Sequence, residues 1–179
     1  MRAFIAVPIS EEMKQAIDPF RKALQLDGVK PVERENLHIT LFFLGEIDDR
    51  RKRDVSDMLE NLPLKKFELH LRGAGVFPNP NFIRVAWVGC EEGSEQLKQI
   101  YDALAPTFAR WGYKEERFSP HLTVARVKEP QAKESVQRVL QKFEKTDFGF
   151  SPVKKVILFR STLTPKGPAY EEIFTKELG

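Results

Sequence analysis

Two of the three histidines in this chain stand two residues ahead of a threonine, in His38-Ile39-Thr40-Leu41 and, 83 residues further on, in His121-Leu122-Thr123-Val124. Along a β-strand, residues i and i+2 point to the same side. Each copy therefore sets an imidazole beside a hydroxyl on one face and buries Ile39/Leu41 or Leu122/Val124 on the other. An imidazole with its ordinary pKa of about 6.5 takes or gives a proton near neutrality. One on each side of a phosphorus atom suits in-line displacement: one deprotonates the nucleophile, the other protonates the leaving oxygen, each role contributing roughly 10²–10⁴-fold. The threonine hydroxyls can donate to the non-bridging oxygens, where charge builds in the transition state.

Other uses of these residues are weaker. A zinc site needs at least one more strong ligand than two histidines supply, and neither strand face carries an Asp, Glu or Cys. No metal and no other cofactor is expected. No glycine-flanked nucleophile of the serine-hydrolase kind is present. The third histidine, His70 in Leu69-His70-Leu71-Arg72, reads as a polar surface residue of a strand. Cys90, the single cysteine, excludes an internal disulfide, fits a reducing cytoplasm, and reads as a small, partly buried side chain.

The elements that must position these residues follow from periodicity. Four helices are predicted: after Ser10 as N-cap, with Met13, Ala16, Ile17, Phe20 and Leu24 on one face; from Asp48 or Asp49, with Val55, Met58, Leu59 and Leu62; from Ser94, with a kink or early end at Pro106; and after Pro130, with Val136, Val139, Leu140 and Phe143. Strands are predicted over 2–8, 36–45, 67–77, 82–89, 120–127, 153–163 and 168–178. Each half thus reads as strand with His-x-Thr, helix, strand, strand. Val55/Leu59 and Val136/Leu140 repeat at nearly the same offset as the histidines, so the duplication extends beyond the tetrapeptide. The expected architecture is α+β: two mainly antiparallel sheets related by a pseudo-two-fold around a central cleft, helices outside, residues 1–179 forming one bilobal domain.

With 41% hydrophobic and 31% charged residues, the composition is that of a globular chain rather than a disordered one. No apolar run spans a bilayer and the N-terminal segment reads as a strand, not a signal peptide, so a cytoplasmic protein without membrane contact is expected. A net charge of +3 permits an anionic partner without demanding one. The run Arg50-Arg51-Lys52-Arg53 lies inside an acidic frame and reads as a solvated helix face. The high Lys, Glu and Arg content matches thermophilic proteins.

The two tetrapeptides and their flanks resemble the two-histidine phosphoesterase superfamily, and within it the RNA 2′,3′-cyclic phosphodiesterases of bacteria and archaea, also called 2′-5′ RNA ligases. The resemblance runs through Arg2-Ala3-Phe4-Ile5-Ala6, Asn36 to Glu46, Gly75-Val76-Phe77-Pro78, Arg84 to Gly89, Phe118 to Arg126 and Ser161 to Glu171. It implies metal-free hydrolysis of a 2′,3′-cyclic phosphate at an RNA or oligonucleotide end to a 2′-phosphate; a monomer is the expected state, although nothing in the sequence fixes it. His38 would be the proton donor to the leaving 3′-oxygen and His121 the proton acceptor that activates water. Thr40 and Thr123 would hold the phosphate, and reversal would form 2′-5′ linkages. An RNA-end or nucleotide-binding module with little turnover, and a 2′-5′ phosphodiesterase, are the alternatives. A basic residue near the phosphate is expected at Arg126, yet strict alternation from His121 points it to the opposite face unless the strand ends or bulges at Ala125. Its first-half counterpart is Phe43, so the cleft has chemically unlike sides. Phe43 or Phe77 could stack on a base, with core packing as the default for both.

Overall fold

The computed structural model describes residues 1–179 and contains two antiparallel sheets with four α-helices packed outside them. The strands are β1 (Arg2–Pro8), β2 (Val29–Pro31), β3 (His38–Glu46), β4 (Phe67–Asn79), β5 (Phe82–Cys90), β6 (His121–Val127), β7 (Asp147–Val153), β8 (Lys155–Thr164) and β9 (Gly167–Glu177). The helices are α1 (Glu11–Ala23), α2 (Asp49–Glu60), α3 (Ser94–Arg110) and α4 (Lys133–Phe143). One sheet has the order β3-β1-β8-β9, the other β2-β6-β5-β4-β7.

The two orders are the same arrangement used twice. Each His-x-Thr strand, β3 or β6, pairs with a strand that opens a repeat, β1 or β5. The units β1-α1-β3-α2-β4 and β5-α3-β6-α4-β8 correspond element by element, and the last strand of each crosses into the other unit's sheet. Neither sheet can therefore be assembled from one continuous half of the chain. β3 and β6 lie next to each other where the two sheets meet. Both sheets contribute to one core of 36 buried residues, including Ile39, Leu41, Leu122 and Val124.

Local signals explain the helices. Ser10 Oγ accepts from the Met13 N–H at 3.1 Å and Asp48 accepts from the Arg51 N–H at 2.8 Å, each satisfying an amide that the first turn leaves free. α1 buries Met13, Ile17 and Phe20, α2 buries Val55 and Leu59, and α3 buries Leu97, Ile100, Leu104 and Phe108. α3 starts at Ser94 as expected, with Gly93 in a left-handed conformation at its N-cap, and runs through Pro106 to Arg110 rather than ending early. Pro130 opens a 3₁₀ turn, Pro130–Ala132, and the fourth helix starts only at Lys133.

Two strands differ from expectation. β2 is three residues long, too short for alternation to register. The predicted strand 153–163 corresponds to β8 (Lys155–Thr164), and β7 (Asp147–Val153) before it lies outside the predicted strands but for Val153. β7 reads Asp-Phe-Gly-Phe-Ser-Pro-Val, and its glycine and proline mask the strand signal at the sheet edge where both are tolerated. No helix is long and apolar enough to cross a membrane.

Candidate active site

The two imidazoles are held in the same way. His38 Nδ1 lies 2.6 Å from the Asn36 carbonyl oxygen and His121 Nδ1 lies 2.7 Å from that of Ser119. A carbonyl only accepts, so in both residues Nδ1 carries the hydrogen and the neutral ring leaves Nε2 bare as a base. His38 Nε2 accepts from the Thr40 hydroxyl at 2.8 Å, while His121 Nε2 has no partner within the protein. The carbonyl that fixes His38 belongs to a buried residue whose side chain is also tied down: Asn36 Nδ2 donates to the Pro168 carbonyl at 2.9 Å, linking the start of β3 to β9.

A bulge at the same place in both His-x-Thr strands shapes the rest of the site. In β3 the register passes from Thr40↔Ala6 to Phe42↔Ile5, leaving Leu41 unpaired. In β6 it passes from Thr123↔Trp87 to Ala125↔Ala86, leaving Val124 unpaired. An extra residue reverses the alternation beyond it. Leu41 is buried and Phe42 stacks on Tyr101 at 4.3 Å on the core side, and Val124 and Ala125 are both buried. Positions 43 and 126 then return to the histidine face. This settles the orientation of Arg126: the bulge lies at Val124, one residue before Ala125, and turns Arg126 toward the histidines. Its charge acts on both rings, lowering the pKa of His38 and of His121. A single guanidinium thus acts on both imidazoles, which sit on the neighbouring strands β3 and β6.

Phe43, at the matching position on the other side, is 62% exposed and so is not a core residue. It sits beside a cluster of rings on its sheet. Phe4 contacts His38 (centroids 5.0 Å apart), Phe43 (6.0 Å), Phe159 (5.1 Å) and Tyr170 (4.8 Å), and Tyr170 meets His38 edge-on at 5.5 Å. Around His121 the neighbours are Phe77, edge-on at 5.0 Å, and Trp87 at 6.5 Å. Phe77 thus walls the second imidazole. Phe4 and Trp87 lie on β1 and β5, whose pairing with β3 and β6 is nonlocal, and Tyr170 lies on β9, which is separated from β3 by β1 and β8 in the sheet, so spacing along the chain does not reveal any of the three; all three fall inside stretches that carry the family resemblance.

Burial is the largest influence on both histidines and disfavours their charged forms. It pushes His38 down to about 4, with the Asn36 carbonyl opposing and Arg126 adding to the effect. His121 is lowered in the same way, its Ser119 carbonyl opposing. Tyr170 is shifted up by burial against the pull of Arg126 and Arg2. Free of substrate, the cleft therefore holds two neutral imidazoles beside a fixed positive charge, a site prepared for an anion whose charge draws a proton from solvent onto the pair.

Trp87 keeps its place because it faces glycine. A Cβ on Gly75, its direct cross-strand partner, would overlap the indole ring, and one on Gly89 would come within 2.8 Å of the Arg72 carbonyl. Gly75→Ala is expected to displace the indole from beneath His121 and to cost about 1–3 kcal/mol, as overpacking does. Urea unfolding measures it; a midpoint unchanged from the parent would show that the ring can yield freely.

The remaining candidates lie elsewhere. His70 is not a freely solvated surface residue: Nε2–H donates to Asp147 at 2.8 Å, the ring stacks on Phe150 at 4.5 Å, and its side chain is 15% exposed, tying β4 to β7. Burial, with Glu91 next to it, pushes the Cys90 thiol up to about 11, which leaves it unreactive. No three His, Cys, Asp or Glu side chains converge in a way that could hold a metal ion. Arg51 of the basic run lies 3.8 Å over the Trp111 ring, on the outside of α2.

Known proteins resemble this chain in sequence and fold over nearly its whole length. An RNA 2′,3′-cyclic phosphodiesterase of Methanocaldococcus jannaschii is 38% identical over 97% of this chain and 98% of its own. A crystal structure of a Thermus thermophilus protein superposes with a TM-score of 0.84 at 30% identity, covering 99% of this chain and 98% of that one. Escherichia coli LigT in complex with 3′-AMP superposes at 0.81 with 25% identity, covering 99% and 97%. The family model of the 2′-5′ RNA ligase superfamily matches residues 9–161. With that match, and with relatives similar from end to end, the chain belongs to the 2′-5′ RNA ligase superfamily, the two-histidine phosphoesterases.

Proposed function

We propose that this protein is an RNA 2′,3′-cyclic phosphodiesterase, opening the terminal cyclic phosphate of an RNA to a 2′-phosphate. The observation that carries the reading is the pair of Nδ1-anchored imidazoles sharing the field of Arg126. The curated relatives bear the name of this activity over nearly the full chain. A module that only bound RNA ends would have no use for two imidazoles each held with Nε2 presented to the cleft.

In the proposed reaction His121 Nε2 takes a proton from water as its oxygen attacks phosphorus. The bond from phosphorus to the 3′-oxygen breaks on the opposite side, and His38 Nε2–H protonates that oxygen as it leaves. The threonine hydroxyls and Arg126 bear on the non-bridging oxygens, where negative charge accumulates. Turnover ends with the protons exchanged: His121 charged, His38 neutral, both restored through solvent. The cyclic phosphate is a monoanion, and its charge raises both pKa values on binding, supplying the protonated His38 that the free protein lacks. Phe43, exposed beside the aromatic cluster of the His38 side, offers a face to the terminal base. The active unit is the whole span 1–179 as one bilobal domain, because each sheet borrows a strand from the other repeat. We place it in the cytoplasm as a monomer, where a lone cysteine stays reduced.

The test is to incubate the protein with a nucleoside 2′,3′-cyclic phosphate in the presence of a chelator and to identify the product by phosphorus NMR. A 2′-phosphate formed at an undiminished rate is expected. A 3′-phosphate would reverse the assignment of the leaving oxygen, and dependence on added metal would overturn the two-imidazole mechanism.

A further inference from the structure

An open groove of about 580 Å³ runs along the start of β5 and the end of β6 toward the start of α4. Arg126 lines it together with Arg84, Lys128 and Lys133, and none of these four cations forms an ion pair. The groove's one carboxylate, Glu129, accepts from Gln131 Nε2 at 2.6 Å. Phe82 is 49% exposed there, with the Arg84 guanidinium 5.0 Å above its ring.

The backbone explains why these groups gather. In β5 the register passes from Val85↔Phe77 to Ile83↔Pro78, leaving Arg84 unpaired. This bulge sends Ile83 into the core and leaves Phe82 and Arg84 outside. The tip of the β4–β5 hairpin is fastened to α4, where Gln137 Nε2 donates to the Pro80 carbonyl at 2.6 Å, so the groove's two walls are joined. Unpaired cations along a trough with an exposed aromatic face are what a single-stranded nucleic acid uses: phosphates follow the charges and a base stacks on the ring.

We infer that this groove is the track for the RNA strand leading into the site, so that the preferred substrate is an oligonucleotide end rather than a mononucleotide. The inference rests on the proposed activity. A cyclic phosphate ends a chain on its 3′ side, so with that phosphate between the histidines only nucleotides 5′ of it remain to be placed. They pass Arg126, then Lys128, Lys133 and Arg84, with Phe82 as a stacking platform. Arg126 belongs to both regions and joins the reacting phosphate to the track.

The experiment compares a nucleoside 2′,3′-cyclic phosphate with a single-stranded RNA pentamer bearing the same terminus. It uses the parent and the triple variant Arg84→Gln/Lys128→Gln/Lys133→Gln, none of which touches the reacting phosphate. The expected kcat/KM for the pentamer exceeds that for the mononucleotide by about tenfold or more at low salt, and the gap closes as salt is raised. The triple variant loses that advantage, its salt dependence flattens by about two in log–log slope, and its mononucleotide rate stays at the parent value. Equal rates on both substrates, or a variant that keeps the pentamer's advantage, would overturn the track. Direct binding of a fluorescent pentamer separates the two proposals. If neither substrate is opened yet the parent binds the pentamer about tenfold more tightly than the variant, the groove stands and the proposed activity falls; if affinity is unchanged by the variant, the groove falls.

Discussion

His38→Ala and His121→Ala each slow opening of a 2′,3′-cyclic phosphate by roughly 10²–10⁴-fold, because each removes one of the two proton transfers that the displacement needs. Both variants remain folded. Each ring hangs from a strand by its own Nδ1–H, and His38 and His121 both face the cleft rather than the shared apolar core. The variants part company when the leaving group needs no proton. A p-nitrophenyl phosphodiester departs as a stable phenolate, so a general acid gains little there while a general base is still required. His38→Ala is expected to recover most of the parent rate on such an ester, and His121→Ala to stay crippled. Recovery by His121→Ala instead would exchange the two roles, and recovery by neither would mean that the rings act by holding the phosphate. Far-ultraviolet circular dichroism on both proteins keeps a folding defect from passing as a catalytic one.

The doubled His-x-Thr was readable because its chemistry is local: two residues apart on a strand are neighbours in space whatever the rest of the chain does. The same holds for α1 and α2, whose caps at Ser10 and Asp48 are written into the sequence. Arg126 shows where local reading stops. Its orientation depends on an unpaired Val124 opposite β5, and a bulge arises from the fit between two strands that the tetrapeptide alone does not determine. The bulge at Leu41 repeats the offset of the histidines, so the duplication carried the irregularity with it. Phe43 followed the same logic, becoming an exposed cleft residue through a bulge that an alternating pattern assigns to the core. The aromatic neighbours of His38 were harder still. Phe4, Phe159 and Tyr170 meet through strand pairings that span almost the whole chain. The halves read from periodicity were also not the spatial halves, since an exchange of strands between sheets leaves no trace in hydrophobic spacing.

The acid limb and the alkaline limb of kcat/KM are both expected below the range usual for two histidines. Catalysis needs one proton on the pair, so kcat/KM follows the singly protonated free protein and gives a bell. Burial and Arg126 hold His38 at about 4 and His121 below the ordinary 6.5. The maximum then falls between about pH 4 and 6.5, and above that window kcat/KM declines about tenfold per pH unit as the last proton is lost. In kcat, which reports the complex, an anionic substrate raises both values and moves the bell toward neutrality. Arg126→Gln removes a lowering influence from both rings, so its kcat/KM bell moves alkaline even as phosphate binding weakens. Stability has to be followed alongside. A folded pKa below the unfolded one means that acidification from about 6.5 to about 4 protonates the unfolded chain before the folded one, so stability contributed by neutral His38 is lost as pH falls through that window. His38→Gln abolishes that loss and separates it from the kinetic limb. A kcat/KM maximum above pH 7, or an Arg126→Gln bell that moves toward acid, would mean that the guanidinium and the two imidazoles do not share a cleft in solution.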